Sequence, residues 1–169
     1  MQSESKSPST DSLYSFTYTK SPFTFTVTRK SDKAVLFTSA EDLVFKDQYI
    51  QISSQVISET KTFGLGESTR LEHALISDRT YTLWAADIGA QNFNVNLYGS
   101  YPFYLQLLNG NAHGALLMNS NGMDVTLLRN SLTFKTTGGI IDLYIFSGPT
   151  PKDVVSQYTY IVGRPAMVS

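Results

Sequence analysis

Residues 94–165 read NVNLYGSYPFYLQLLNGNAHGALLMNSNGMDVTLLRNSLTFKTTGGIIDLYIFSGPTPKDVVSQYTYIVGRP. Apolar, aromatic and β-branched runs alternate there with Asn-Gly, Asn-Gly and Gly-Gly. In residues 101–108, Phe103, Leu105 and Leu107 fall on one face and Tyr104, Gln106 and Leu108 on the other, the period of a strand. Asn109-Gly110 follows, and both residue types tolerate the positive φ that a two-residue hairpin turn requires. Residues 113–118 are therefore predicted to pair back. Asn121-Gly122 predicts a second turn of the same kind before residues 123–128. Arg129-Asn130-Ser131 then turns the chain into residues 132–135. Gly138-Gly139 feeds residues 140–146, which are apolar on both sides except at Asp142, as expected of a central or sandwiched strand.

One helix closes the stretch. Thr150 suits an N-cap, Pro151 the first helical position, and Asp153 the acidic place of a capping box. Val154, Val155, Tyr158 and Ile161 form an apolar stripe, and Gly163 followed by Pro165 stops the helix.

Working outward, the N-terminal half repeats the strand signals. Tyr14, Phe16 and Tyr18 alternate with Ser15 and Thr17. Beyond Ser21-Pro22, Phe23, Phe25 and Val27 alternate with threonines, and residues 34–38 return, so that 23–38 reads as a hairpin around a solvated turn at 29–33. Residues 43–45 and 49–53 are short strands. Residues 54–60 fit more than one state. Residues 63–67 (FGLGE) form a strand interrupted by two glycines, the mark of a bulge or a close backbone approach. Residues 68–79 are loop or short helix, 81–85 a strand, and 87–94 a polar loop. Residues 1–12 are rich in Ser and Thr, lack periodicity and read as a disordered tail. One domain over 13–169 is expected: all-β, a mostly antiparallel β-sandwich with one C-terminal α-helix.

Bulk properties exclude several classes. A chain of 169 residues is one domain of ordinary size. The absence of cysteine removes disulfides and thiolate metal sites. A net charge of −1 leaves no electrostatic footprint for nucleic acid or an anionic membrane. No apolar run approaches the roughly 18 residues of a spanning helix, and the polar N-terminus MQSESKSPSTDS is not a secretory signal. No Asn-x-Ser/Thr acceptor occurs.

The strings FGLGE (63–67), NLYGSYPFYL (96–105), LLMNSNGMDV (116–125), TFKTTGGIIDLYIFSGPTPKDVVSQY (133–158) and IVGRPA (161–166) resemble glycoside hydrolase family 31, the α-glucosidases and α-xylosidases, and its plant-type members above all. PFTFTVTRKSDKAVLFTS (22–39) and LVFKDQYIQIS (43–53) extend the resemblance, which spans nearly everything after the tail. It implies a galactose mutarotase-like N-terminal sandwich, followed in the family by a barrel that carries two catalytic aspartates and removes terminal α-linked glucose or xylose. Against that plan both ends of this chain look cut. The implied role is a non-catalytic scaffold that braces the barrel and lends it a loop, with a carbohydrate as the partner of the complete enzyme. The rivals are a stand-alone carbohydrate-binding module, and a remnant that associates with another chain through exposed strand edges or the barrel-docking face.

Candidate sites follow from these readings. A retaining glycosidase needs two carboxylates about 5–5.5 Å apart. Glu41 and Asp42 are sequence neighbours that on a strand would point to opposite faces, and Glu67, Glu72 and Asp78 match no catalytic pattern, so no catalytic residue is assigned. Asp87 stands where the resemblance places a loop carboxylate that contacts sugar hydroxyls, nine residues before NLYG; it is the one substrate-binding residue expected. Tyr101 replaces the histidine of the family's GSHPF string. Trp84, the only tryptophan, reads as core. His73 and His113 lack ligand spacing, so neither metal nor cofactor is expected. His113 with Asp124 is the one acid–base pair conceivable across a hairpin, and a structural histidine is the expected reading. Gly64-Leu65-Gly66 lacks what a phosphate loop requires.

Overall fold

A computed structural model of the chain describes residues 12–39, 43–87, 89 and 93–167. The tail expected over 1–12 lies outside this set except for Ser12, and so do Glu41 and Asp42. The described residues form twelve strands and one helix in three antiparallel sheets. β1 (Tyr14–Lys20), β2 (Phe23–Arg29) and β3 (Val35–Thr38) make the first. The second has the order β4-β5-β11-β10-β7, built from Val44–Lys46, Tyr49–Gln55, Ser131–Thr136, Met123–Leu127 and Arg79–Leu83. The third has the order β12-β9-β8-β6, built from Leu143–Phe146, Asn111–Leu117, Asn96–Leu108 and Lys61–Ser68. Helix α1 spans Pro151–Val162.

The main core lies between the second and third sheets. Ile52, Leu83, Val125, Leu132 and Phe134 meet Leu65, Tyr104, Ala115 and Leu117, and Val27, Leu36 and Phe37 of the first sheet join them. Tyr104 is fully buried and stacks on Phe134 with ring centroids 6.0 Å apart, one sheet against the other. The opposite face of the third sheet is also covered. Phe103, Leu105, Leu107, Leu116 and Phe146 pack there with Val154 and Tyr158 of α1. Both faces of β8 are apolar for this reason. β12 is an edge strand within its sheet, yet it is sandwiched between layers: Leu143 and Ile145 face the main core, Tyr144 and Phe146 the helix.

The helix ends as expected. Thr150 Oγ1 accepts from the Asp153 N–H, the Asp153 carboxylate accepts from the Thr150 N–H, and Gly163 closes the C-terminus at φ 91°. The Asn109-Gly110 hairpin joins β8 to β9 with φ of 50° and 81°. The bulge in β6 is also present: its register shifts between Gly64 and Gly66. A Cβ at Gly64 would stand 2.4 Å from the Phe103 carbonyl oxygen, so the ladder to β8 closes only around glycine.

Two expectations about turns need correction. Asn121-Gly122 is not a hairpin. β9 pairs with β8 and β12, while β10 pairs with β11 and β7, so residues 118–122 carry the chain from one sheet to the other. Nor is the 29–33 turn fully solvated. Arg29 is only 4% exposed. Its Nη1 donates to the carbonyls of Ala112 (2.9 Å) and Ser147, and its Nε and Nη2 engage Asp32, each at 2.9 Å. The side chain is buried because carbonyls distant in sequence, together with one carboxylate, use its donors.

Candidate functional site

Asp87 sits just beyond the end of β7, on the loop that returns to β8. The base of that loop is held by specific bonds. Tyr98 N–H donates to Ala86 O (2.7 Å), Asn96 Nδ2 to Trp84 O (2.8 Å), and Thr69 N–H to Val95 O (3.0 Å). Tyr101 supports the same segment. Its ring lies so close to Gly99 that a Cβ there would be 2.7 Å from the phenolic oxygen, and its hydroxyl donates to Glu67 Oε1 at 3.3 Å. Asp87 itself is exposed and makes no hydrogen bond or ion pair among the described residues. These bonds fix the backbone on either side of the loop, at residues 84–86 and 95–98.

Trp84 is not core. It is 64% exposed, and its six-membered ring lies against Gly122, where a Cβ would come within 2.8 Å. The indole therefore rests on the backbone of the crossover between sheets. Gly122, the partner that makes this seat, was visible in the sequence only as a turn residue. Arg70 was missed entirely. Its Nη2 donates to the carbonyls of Gly64 (3.0 Å) and Leu65 (2.8 Å), which ties the bulge of β6, while its guanidinium stands 4.8 Å from the centroid of the Tyr81 ring.

The other candidates separate. His113 lies on β9 and Asp124 on β10, in different sheets, so the pairing across a hairpin does not exist. Asp124 instead accepts from Thr82 Oγ1 at 2.6 Å. His113 is half-buried beside Arg29 and Asp32, and desolvation, aided by the Arg29 charge, pushes its imidazole down to about 4. His73 is exposed on a loop. Asp32 is held below the usual carboxylate range by its hydrogen bond from Arg29, and Asp153 by its bonds from Thr150. Both shifts run opposite to what a general acid requires. Among the described residues no group of three or more His, Cys, Asp or Glu is placed to hold a metal ion.

These features define the described residues as an antiparallel β-sandwich with one C-terminal helix. The sequence model of the glycosyl hydrolase 31 N-terminal galactose mutarotase-like domain matches residues 2–125, and the chain belongs to that family. Alpha-xylosidase 1 of Arabidopsis thaliana is 47% identical over 156 residues, covering 89% of this chain and 17% of that protein. An alpha-glucosidase of Hordeum vulgare is 47% identical over 148 residues, again covering 17% of its own length. The chain thus spans about 17% of these curated relatives. Among solved structures, a Flavobacterium johnsoniae GH31 dextranase complexed with glucose superposes with a TM-score of 0.74 at 21% identity, over 86% of this chain and 18% of that one. A glucosidase II alpha subunit gives 0.71 at 15% identity, over 87% and 22%. At those identities the structures establish the fold.

Proposed function

We propose that this chain serves as the non-catalytic N-terminal sandwich of an α-glucosidase- or α-xylosidase-type hydrolase acting on terminal α-linked glucose or xylose. In that role it braces the catalytic barrel and lends the Asp87 loop to the substrate entrance. The observation that carries this reading is the 47% identity to an alpha-xylosidase, confined to 17% of that protein. Two features of the fold support it. Helix α1 seats Val154 and Tyr158 on its own sheet and leaves Val155, Tyr160, Ile161 and Val162 exposed, an apolar outer side suited to a further domain. The exposed Asp87 follows a stretch held by bonds from Asn96 and Tyr98 to Trp84 and Ala86, which supports a role for its carboxylate at such an entrance.

The test is a chimera. The matching segment of the Hordeum vulgare alpha-glucosidase is replaced by this chain, and hydrolysis of α-glucosides is measured alongside the 169-residue chain alone. The expected result is activity in the chimera and none in the isolated chain. Asp87→Asn in the chimera is expected to raise KM about tenfold with a smaller change in kcat, as for lost ground-state binding to a hydroxyl pair. Cleavage by the isolated chain, abolished by changing one of its own acids, would overturn the reading.

A further inference from the structure

The edges of the three sheets are not alike. Among the described residues, β4, β7 and β12 are edge strands of three to five residues, and β6 is broken by two register shifts. β3 is bridged to β5 through Ser39 and Ser54. β1 is seven residues long, unbulged against β2, free of proline and exposed throughout. Short, bulged or covered edges resist further pairing, and a long regular one invites it.

Hydrogen-bond parity fixes what that edge presents. Lys30 N–H donates to Leu13 O at 2.9 Å. The Phe25 backbone turns the other way: its carbonyl accepts from Ser39 N–H, and its N–H donates to Ser39 Oγ. Backbone bonds alternate along an antiparallel ladder, so Ser15, Thr17 and Thr19 bond to Thr28, Thr26 and Thr24 of β2. Tyr14, Phe16, Tyr18 and Lys20 therefore aim their N–H and C=O groups away from the sheet. Among the described residues only Ser12 Oγ approaches them, 3.4 Å from the Tyr14 nitrogen. The side chains of the same four residues share the face of Phe25 and Val27, which is the core side. Phe16 stacks on Phe25 at 5.6 Å and Phe25 on Phe37 at 5.5 Å, so a run of rings leaves the core and ends uncovered at β1.

A second copy of the chain completes this edge in one register. Outward-facing residues have to meet outward-facing residues, and the overlap is complete when Thr17 faces Thr17. Phe16 of each copy then lies opposite Tyr18 of the other, a stabilising cross-strand pair made twice. Lys20, the only charge on β1, lies opposite Tyr14 of the other copy, so ammonium meets ring and the two lysines stand at opposite ends. Tyr14, Phe16, Tyr18 and Phe23 are 43–57% exposed. Covering what is open of these rings removes roughly 600–1,000 Å² over two copies, at about 150–250 Å² per aromatic side chain. That area lies near the lower limit of specific assemblies and suits a weak, reversible dimer. We propose that two copies of this chain associate through β1, antiparallel about a two-fold axis at Thr17, and join their three-stranded sheets into one of six strands.

Sedimentation velocity of the full chain from about 5 to 500 μM should show a monomer–dimer equilibrium with Kd of about 50 μM. Tyr18→Pro removes an outward N–H that the fold does not use, and should weaken the dimer at least about tenfold with unchanged circular dichroism. The register has its own readout, because the chain contains no cysteine. Facing residues of a non-hydrogen-bonded pair have Cα atoms about 4.5 Å apart, within disulfide reach. Under mild oxidation Thr17→Cys should therefore crosslink to itself. Ser15→Cys and Thr19→Cys should not crosslink singly, being about 13 Å from their own copies, but should crosslink when mixed. A monomer throughout the range, an association that Tyr18→Pro leaves unchanged, or Ser15→Cys crosslinking to itself in preference to Thr17→Cys would each overturn the proposal. A dimer formed only after removal of residues 1–11 would give the edge to the chain's own N-terminus and would equally overturn it.

Discussion

Arg29 and His113 show how much single side chains do at the open end of the sandwich. Arg29 joins the end of β2 to the carbonyls of Ala112 and Ser147 and to Asp32. Arg29→Ala strands two carbonyls and frees Asp32, and should lower stability by about 3 kcal/mol, read as a drop in the urea midpoint at unchanged slope. Arg29→Lys should recover less than half, because an ammonium cannot reproduce the planar fork. His113, beside this clamp, has a folded-state pKa of about 4, below its ordinary 6.5. The unfolded chain therefore takes up a proton that the folded chain refuses. The stabilisation is complete above pH 6.5 and disappears as pH falls from 6.5 towards 4, a loss of about 2 kcal/mol after allowance for partial exposure. Urea titrations at pH 7 and pH 4.5 should show this difference in the parent chain, and His113→Gln should reduce it. Asp32, held low by Arg29, acts in the window beneath: its contribution is present above 3.8 and fades below that.

At the scale of elements, α1 stands on its cap and on one buried residue. Thr150→Ala removes the hydroxyl half of the capping box, leaving the Asp153 carboxylate on the backbone N–H of residue 150, and should cost about 1 kcal/mol. Val154 is fully buried against the third sheet, and Val154→Ala should cost about 2 kcal/mol by the cavity it leaves. Thermal melts of the two variants would rank them in that order. The elements also show which parts of the fold the sequence discloses. The helix, its cap, the Asn109-Gly110 hairpin and the bulge in FGLGE were legible because each is specified within a few residues of itself. The antiparallel all-β class followed from the same local signals. Asn121-Gly122 has the same dipeptide as the true hairpin, yet its flanking strands pair elsewhere, and partners 40 or more residues away leave no local trace. Trp84 was misplaced for a related reason. Its apolar character points inward, but the surface that receives it is a glycine on a distant crossover. Asp87 came from resemblance alone; the bonds that hold its flank join Asn96 and Tyr98 to Trp84 and Ala86, about 12 residues apart and on segments that no local signal pairs.

For the molecule as a whole, the first sheet is the exposed flank. Every residue of β1 is exposed, and Phe16, Tyr18 and Phe23 present rings at 48–57% exposure beside a strand edge with no neighbour among the described residues. Such an edge is a template for further pairing. The isolated chain should show light scattering that rises with concentration, and Phe16→Ser with Tyr18→Lys should suppress it while leaving the circular dichroism unchanged. The second consequence concerns timing. The contacts of Arg29 reach across 83 and 118 residues of chain. On the ribosome, where polypeptide emerges from its N-terminus, the first hairpin is finished long before Ser147 leaves the exit tunnel. Until then the guanidinium has only Asp32 to hold, and the aromatic flank stands without its latch. Nascent chains halted just before residue 147 should therefore be cut by protease between the first and second sheets, and chains released a few tens of residues later should resist.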